Sequence, residues 1–300
     1  MAGADPRKAV IFALGANFAI AIAKYGAAAV TGSGSMLAEA VHSTADCGNQ
    51  LLLLLGLRRS RKSPSEDFPL GYGKETYFWS FLVALMLFSV GGLFSVYEGW
   101  HKLHEPEELR YPLLALGVLA FGIAAESFSM WGCMREVNKA RGEQTLWQWF
   151  RGSRNAELVV IFGEDLAALV GLALAFIAVL AAWLTGNVMY DALGSIAIGV
   201  LLIVVAVMVA IEVKALLVGQ GVEPAVRREM IACFGEHASI ERLIDMRTLH
   251  MGGDVMVAVK AKMRDFPSTD ALVREINRIE VSFRERFPEV QWMFFEPDAR

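Results

Sequence analysis

Apolar residues bunch into six runs along the chain, roughly 9–31, 36–57, 77–100, 111–134, 156–184 and 190–218, separated by short polar connections. As a helix, each run is long enough to cover a hydrocarbon core about 30 Å thick. Lipid offers no partner to backbone N–H and C=O groups, so a run of this kind is expected to satisfy them internally as helix. The pattern predicts six transmembrane helices over residues 1–218. From about residue 219 it changes. PAVRREMIACFGEH reads as an amphipathic helix, and IDMRTLHMGGDVMVAVKAKM as two strands about a Gly252-Gly253 turn with Val255, Val257 and Val259 alternating. STDALVREINRIEVSFRERF places Ser268 and Thr269 as caps before a helix with Leu272, Ile276, Ile279 and Phe283 on one face. VQWMFFEP is a last strand. The α-β-β-α-β order predicts a small α+β domain over 219–300.

Composition agrees with a membrane protein. The 300 residues are 55% hydrophobic with mean hydropathy +0.43, too apolar for an ordinary soluble domain. The net charge of −4 matters less than where the charges fall. Arg7 and Lys8 precede the first run, RRSRK (Arg58 to Lys62) follows the second, and Arg135, Lys139, Arg141, Arg151 and Arg154 lie between the fourth and fifth. Lys214 and a basic tail follow the sixth. Of the opposite connections, TGSGS carries no charge, TGNVMYD has no basic residue, and HKLHEPEELR holds Lys102 and Arg110. Basic residues favour the cytoplasmic side, so both termini are expected there. The first run lacks an A-x-A-like cleavage site and reads as a retained helix.

Several classes of function find no support. Cys47, Cys133 and Cys233 are scattered, which argues against a disulfide framework or a zinc ribbon. No phosphate-binding G-x-x-x-x-G-K-[ST] stretch, haem or iron–sulfur spacing, or nucleophile elbow is present, so no enzyme constellation emerges and no bound cofactor is expected. The basic clusters border the membrane runs, which accounts for them without nucleic acid.

The candidate chemistry lies inside the membrane runs. An ionisable group at the centre of a membrane helix costs about 2.5–3.5 kcal/mol on insertion scales, so each is a functional candidate. In the second run His42 and Asp46 are spaced i and i+4, one turn apart on one face, with Glu39 at i−3 from His42. An imidazole and a carboxylate so placed can hold one divalent ion and leave ligand positions for another helix. In the fifth run, VVIFGEDLAALVGL puts Glu164 beside Asp165. Adjacent helical residues point about 100° apart, so both reach one ion only if the helix bends, for example at Gly163, or the site is wide. One of the pair is expected to complete the site, and the other to orient ligands or carry protons. Glu157, seven residues earlier on the same face, is either an access-path group or an interfacial one. Lys24 in the first run and Glu126 in the fourth are expected to pair as a structural bridge. Gly91-Gly92, Gly99, Gly194 and Ser195 offer small faces for close helix packing. Cys47 is expected to pack.

These residues resemble the cation diffusion facilitators. TGSGSMLAEAVHSTAD, Asn17 and Lys24, PLGYGKE (69–75), YDALGS (190–195) and the terminal Glu296-Pro297 carry the resemblance over almost the whole chain. HSTADCGNQLLLLLGL with IFGEDLAALVGL resembles, more narrowly, the branch around the ninth animal zinc transporter. The resemblance implies a homodimer of six-helix protomers, each with a ferredoxin-like cytoplasmic domain. It implies exchange of a cytoplasmic divalent cation for protons, with the metal held by His42, Asp46, Glu164 and Asp165 between the second and fifth helices. The chain departs from the family pattern in three places. The Glu164-Asp165 pair replaces a His-x-x-x-Asp or Asp-x-x-x-Asp spacing. SEDFPLGYGKE has Phe68 and Tyr72 where family members often carry histidines, and Phe294 stands where His-x-Glu-Pro would begin. The metal sites of the cytoplasmic domain are therefore expected to be mostly missing.

The expected function is a Zn²⁺/H⁺ antiporter exporting metal from the cytoplasm, set in the lipid bilayer of a bacterial cytoplasmic membrane. The same donor set also suits Mn²⁺, Fe²⁺, Co²⁺ or Cd²⁺. The rival of another class is a membrane metal-binding or scaffold protein that moves nothing.

Overall fold

The computed structural model describes residues 5–31, 34–105 and 111–298, and of these only the backbone at 31, 34–39, 41 and 42. It forms two compact units: one of Met1–Arg58, Thr76–Arg151 and Asn155–Lys214, the other of Arg59–Glu75, Gly152–Arg154 and Ala215–Arg300.

The first unit is helical. Its long elements are α1 (Pro6–Thr31), α2 (Gly34–Arg59), α3 (Glu75–Met86), a π-helical turn (Leu87–Leu93), α4 (Phe94–His104), α5 (Pro112–Arg141), α7 (Ala156–Thr185) and α8 (Met189–Val218), with a short α6 (Leu146–Gly152) before α7. Among the described residues, five segments are long and apolar enough to cross a membrane: Pro6–Val30, Glu75–His104, Pro112–Arg141, Ala156–Thr185 and Met189–Val218. They coincide with five of the six apolar runs. The remaining run forms α2, whose 26 residues equal α1 in length; at about 1.5 Å per residue they exceed the bilayer core.

The helix ends follow local chemistry. Pro112 opens α5, where its missing N–H costs nothing. The Asn155 side chain caps α7 by accepting from Leu158 N at 3.1 Å, and Gly186 closes that helix at φ 69°. The third span is not uniform, because the stretch LFSVGGL widens into the π turn between α3 and α4. Hydroxyls bond back into this region, from Ser89 Oγ to Leu85 O at 2.8 Å and from Ser95 Oγ to Gly91 O at 2.7 Å.

Small residues set the helix contacts. A Cβ on Gly199 would stand 2.7 Å from Val96 N and 2.8 Å from Gly92 O, so the third span and α8 meet backbone to backbone. Gly92, Gly99 and Gly194 make comparably close contacts, as their spacing predicts, whereas Gly91 has ordinary clearance. In the same unit α1 packs on α5, and α5 on α7.

The second unit contains α9 (Pro224–Gly235), β1 (Ile240–Met251), β2 (Asp254–Met263), α10 (Thr269–Arg286) and β3 (Val290–Asp298). This is the α-β-β-α-β order read from the pattern. The sheet runs β1-β2-β3, with β1 antiparallel and β3 parallel to β2. Gly252 makes the β1–β2 turn at φ 81°, and Ser268 caps α10 by accepting from Ala271 N at 3.2 Å. Val255, Val257 and Val259 alternate into one core with Met230, Phe234, Ile279 and Phe283. The Phe234 and Phe283 rings stack at 4.6 Å.

Candidate metal site

The helical unit encloses a cavity of about 290 Å³. At depth it is lined by Asn17 and Lys24 of α1, Asp46 of α2, Glu126 of α5, and Glu164 with Asp165 of α7. Four carboxylates from three helices thus share one space with the Lys24 ammonium. Such a grouping, buried where insertion of each charge is costly, attracts divalent cations and protons. Glu164 is 5% exposed and Asp165 1%.

The adjacent acids on α7 divide between two neighbours, as the 100° step between them requires. Glu164 turns to α2, where Gln50 Nε2 donates to its Oε2 at 2.7 Å and Asn49 Nδ2 to its Oε1 at 3.3 Å. Asp165 turns to α5, where Ser129 Oγ donates to its Oδ2 at 2.9 Å. Glu164 interacts electrostatically with Asp46, Asp165 and Glu126. Glu126 in turn feels Asp165, Asp46 and Lys24, so the expected Lys24–Glu126 pairing has its two members in one cavity and in one field. Gly163, before the pair, lies against Val209 of α8, and α7 runs without interruption from Ala156 to Thr185. Both acids line the same cavity while facing different helices.

The side chains of Glu39 and His42 lie outside the described residues. Their backbone belongs to α2, which fixes only their place one and two turns before Asp46. Among the described residues, no three His, Cys, Asp or Glu side chains converge closely enough to hold an ion. Glu157 does not line the cavity. It lies in the first turn of α7, where a carboxylate suits the helix dipole, and the Thr76 side chain is its partner. Cys47 is buried and also outside the cavity.

Three residues that contact the acids were not singled out from the sequence: Asn49, Gln50 and Ser129. For Gln50 a signal existed, since it continues the His42, Asp46 series by another four residues on the same face of α2. Toward one end the same cavity reaches Glu98, Lys102 and Asp191. There Lys102 Nζ sits 3.2 Å from Glu98 Oε1 and 3.1 Å from Asp191 Oδ2, joining α4 to the start of α8.

In the second unit His250 lies on β1 with its Nδ1 buried and, among the described residues, without a hydrogen-bond partner. Its pKa is pushed down to about 4, first by burial and then by the positive Arg154 nearby, with a smaller opposing contribution from the Gly252 backbone.

Residues 10–218 match the family model described as the cation efflux transmembrane domain. The proton-coupled zinc antiporter SLC30A9, mitochondrial, of Xenopus laevis is 30% identical over 249 residues, covering 82% of this chain and 44% of that protein. Metal tolerance protein C4 of Arabidopsis thaliana is 29% identical, covering 82% of this chain and 54% of its own length. The cation-efflux pump FieF of Serratia proteamaculans is 26% identical over 86% of this chain and 81% of that protein. The chain spans about half the length of the first two relatives.

Proposed function

The chain belongs to the cation efflux family, the cation diffusion facilitators, in a branch like SLC30A9, and from that premise we propose that it is a proton-coupled antiporter of divalent metal ions with Zn²⁺ as its leading substrate. The observation that carries this reading is the single cavity that Asp46, Glu126, Glu164 and Asp165 line inside the helical unit. Ligands must be deprotonated to bind metal, so loading the ion releases protons and protonation releases the ion. Asp46 on α2 and Glu164 with Asp165 on α7 are the proposed binding groups, joined by His42, whose imidazole is a further metal donor. Gln50, Asn49 and Ser129 hold the two acids of α7 in place. Lys24, beside Glu126, balances part of the negative charge in the absence of metal.

The basic connections favour both termini in the cytoplasm, so metal moves outward as protons enter. Antiport needs a proton gradient, which a bacterial cytoplasmic membrane or a mitochondrial inner membrane supplies. The second unit is the proposed cytoplasmic domain, and two protomers are proposed to associate through it by packing. Imidazole and carboxylates also accept Mn²⁺, Fe²⁺, Co²⁺ and Cd²⁺. The test is flux of Zn²⁺ into proteoliposomes driven by a pH gradient. The wild type is expected to transport, and Asp46→Ala to stop. Undiminished transport by Asp46→Ala would remove the site, and binding without flux would leave a scaffold.

A further inference from the structure

The cavity does not end at the acids of α7. It follows α7 from Glu164 as far as Val179 and α8 from Leu202 back to Asp191. At about 1.5 Å per residue, Val179 lies about 20 Å along the helix from Glu164. At that end Lys102 Nζ stands between two carboxylates, 3.2 Å from Glu98 Oε1 and 3.1 Å from Asp191 Oδ2. Lys102 is in the last turn of α4 and Asp191 in the first turn of α8. The side chains of Glu98, Lys102 and Asp191 remain 33%, 28% and 24% exposed. These ion pairs are not what holds α4 to α8. A Cβ on Gly99 would lie 2.8 Å from both Ala192 O and Ile196 N, so the two backbones already touch beside the trio. Part-exposed ion pairs contribute little, about 0–1 kcal/mol. The trio is thus two carboxylates carried on closely packed helices and one ammonium on a flexible four-carbon stem that can leave them.

We propose that Lys102 is a tethered competing cation that controls release of the transported ion: it occupies Glu98 and Asp191 at the far end of the cavity, and a divalent ion leaves by displacing it. The proposal rests on reading the carboxylate cavity as the transport route, and it adds the residue that governs the exit. A divalent ion carries twice the charge of the ammonium, so near the trio it repels Nζ and draws both carboxylates. Zn²⁺ binds carboxylate oxygen at about 2.0–2.2 Å, so each carboxylate closes by about 1 Å on an ion that takes the place of Nζ. Once the ion has passed into water, Lys102 returns and neutralises the pair that would otherwise retain the next one. The other cation lining the cavity, Lys24, acts on Glu126 among the deep acids, which leaves this end to Lys102. The connection TGNVMYD, which ends in Asp191, has no basic residue, so the exit faces away from the cytoplasm, as outward transport requires.

The experiment counts Zn²⁺ bound per chain by equilibrium dialysis of the purified full-length protein in detergent, and measures Zn²⁺ flux into proteoliposomes. Lys102→Met leaves Glu98 and Asp191 without their counter-ion. It is expected to bind roughly one more Zn²⁺ per chain than wild type, with water completing the ion's shell. It is also expected to transport severalfold more slowly, because the ion is retained at the exit. Adding Asp191→Asn removes the pair and is expected to remove the extra ion. Lys102→Arg keeps the charge and both partners but grips carboxylates in a planar fork, so it is expected to slow flux at the wild-type count. A mere brace between α4 and α8 would lower the unfolding midpoint in Lys102→Met without changing the number of ions bound, and an unchanged count there would overturn the proposal. Should Lys102→Met fail to fold, Lys102→Arg decides, since flux equal to wild type would also overturn it. A wild type that moves no Zn²⁺, while Lys102→Met still gains an ion, would sink the transport reading and leave Lys102 as the competing cation of the cavity.

Discussion

Gln50 Nε2 donates to Glu164 Oε2 at 2.7 Å, joining residues 114 apart in sequence across α2 and α7. Removing one partner of a buried hydrogen bond costs about 1–3 kcal/mol, because the group left behind is unpaired away from water. Gln50→Leu removes the donor and leaves a buried acid with only Asn49. The expected outcome is a loss of about 2 kcal/mol in stability, read as a lower unfolding midpoint in detergent, with weaker Zn²⁺ binding. A Gln50→Leu protein as stable as wild type would show that the bond contributes nothing.

Ser129 plays the matching part for Asp165, at 2.9 Å from α5. Partners that orient a ligand typically account for 10–100-fold in metal affinity. Ser129→Ala is expected to raise the Zn²⁺ concentration for half-maximal flux by roughly tenfold, and Ser129→Thr to restore most of it. An effect on maximal rate alone would assign Ser129 to helix movement instead.

Close packing between the third span and α8 predicts a steep response at Gly199. An added methyl meets Val96 N and Gly92 O, both backbone atoms that cannot rotate away. Overpacking of this kind costs about 1–3 kcal/mol. Gly199→Ala should lower the thermal midpoint in detergent, while Gly117→Ala, which meets nothing within 4 Å, should not.

His250 makes the C-terminal unit sensitive to acid. Its folded pKa of about 4 lies below the ordinary 6.5, so the unfolded chain binds more protons between those two values. The stabilisation from keeping this ring neutral is complete above pH 6.5 and is lost as pH falls toward 4, by up to about 3 kcal/mol. Hydrogen exchange of β1 and β2 in the full-length protein should accelerate over that window. His250→Gln should flatten the dependence.

Much of the architecture was legible locally. Hydropathy marked the spans because lipid demands apolar length in each segment by itself. Turn and cap chemistry marked the C-terminal order, with Gly252 and Ser268 in the places their types predict. The places of Asp46, Glu164 and Asp165 along their helices followed from position within the runs. The π turn was not legible, because LFSVGGL reads as ordinary apolar helix.

What the sequence by itself determined is therefore axial: which segments form long apolar helices, in what order, and where along each helix the charged residues fall. What only the tertiary structure decided is rotational. A helix that is apolar nearly all round, as α7 is, carries no periodic stripe to say which side faces which neighbour. Glu164 could equally have faced α5 and Asp165 α2. The close packing of α5 on α7, Gly163 set against Val209, and the amides waiting on α2 and the hydroxyl on α5 fix that rotation. These contacts depend on the helices having assembled, and no local pattern contains them.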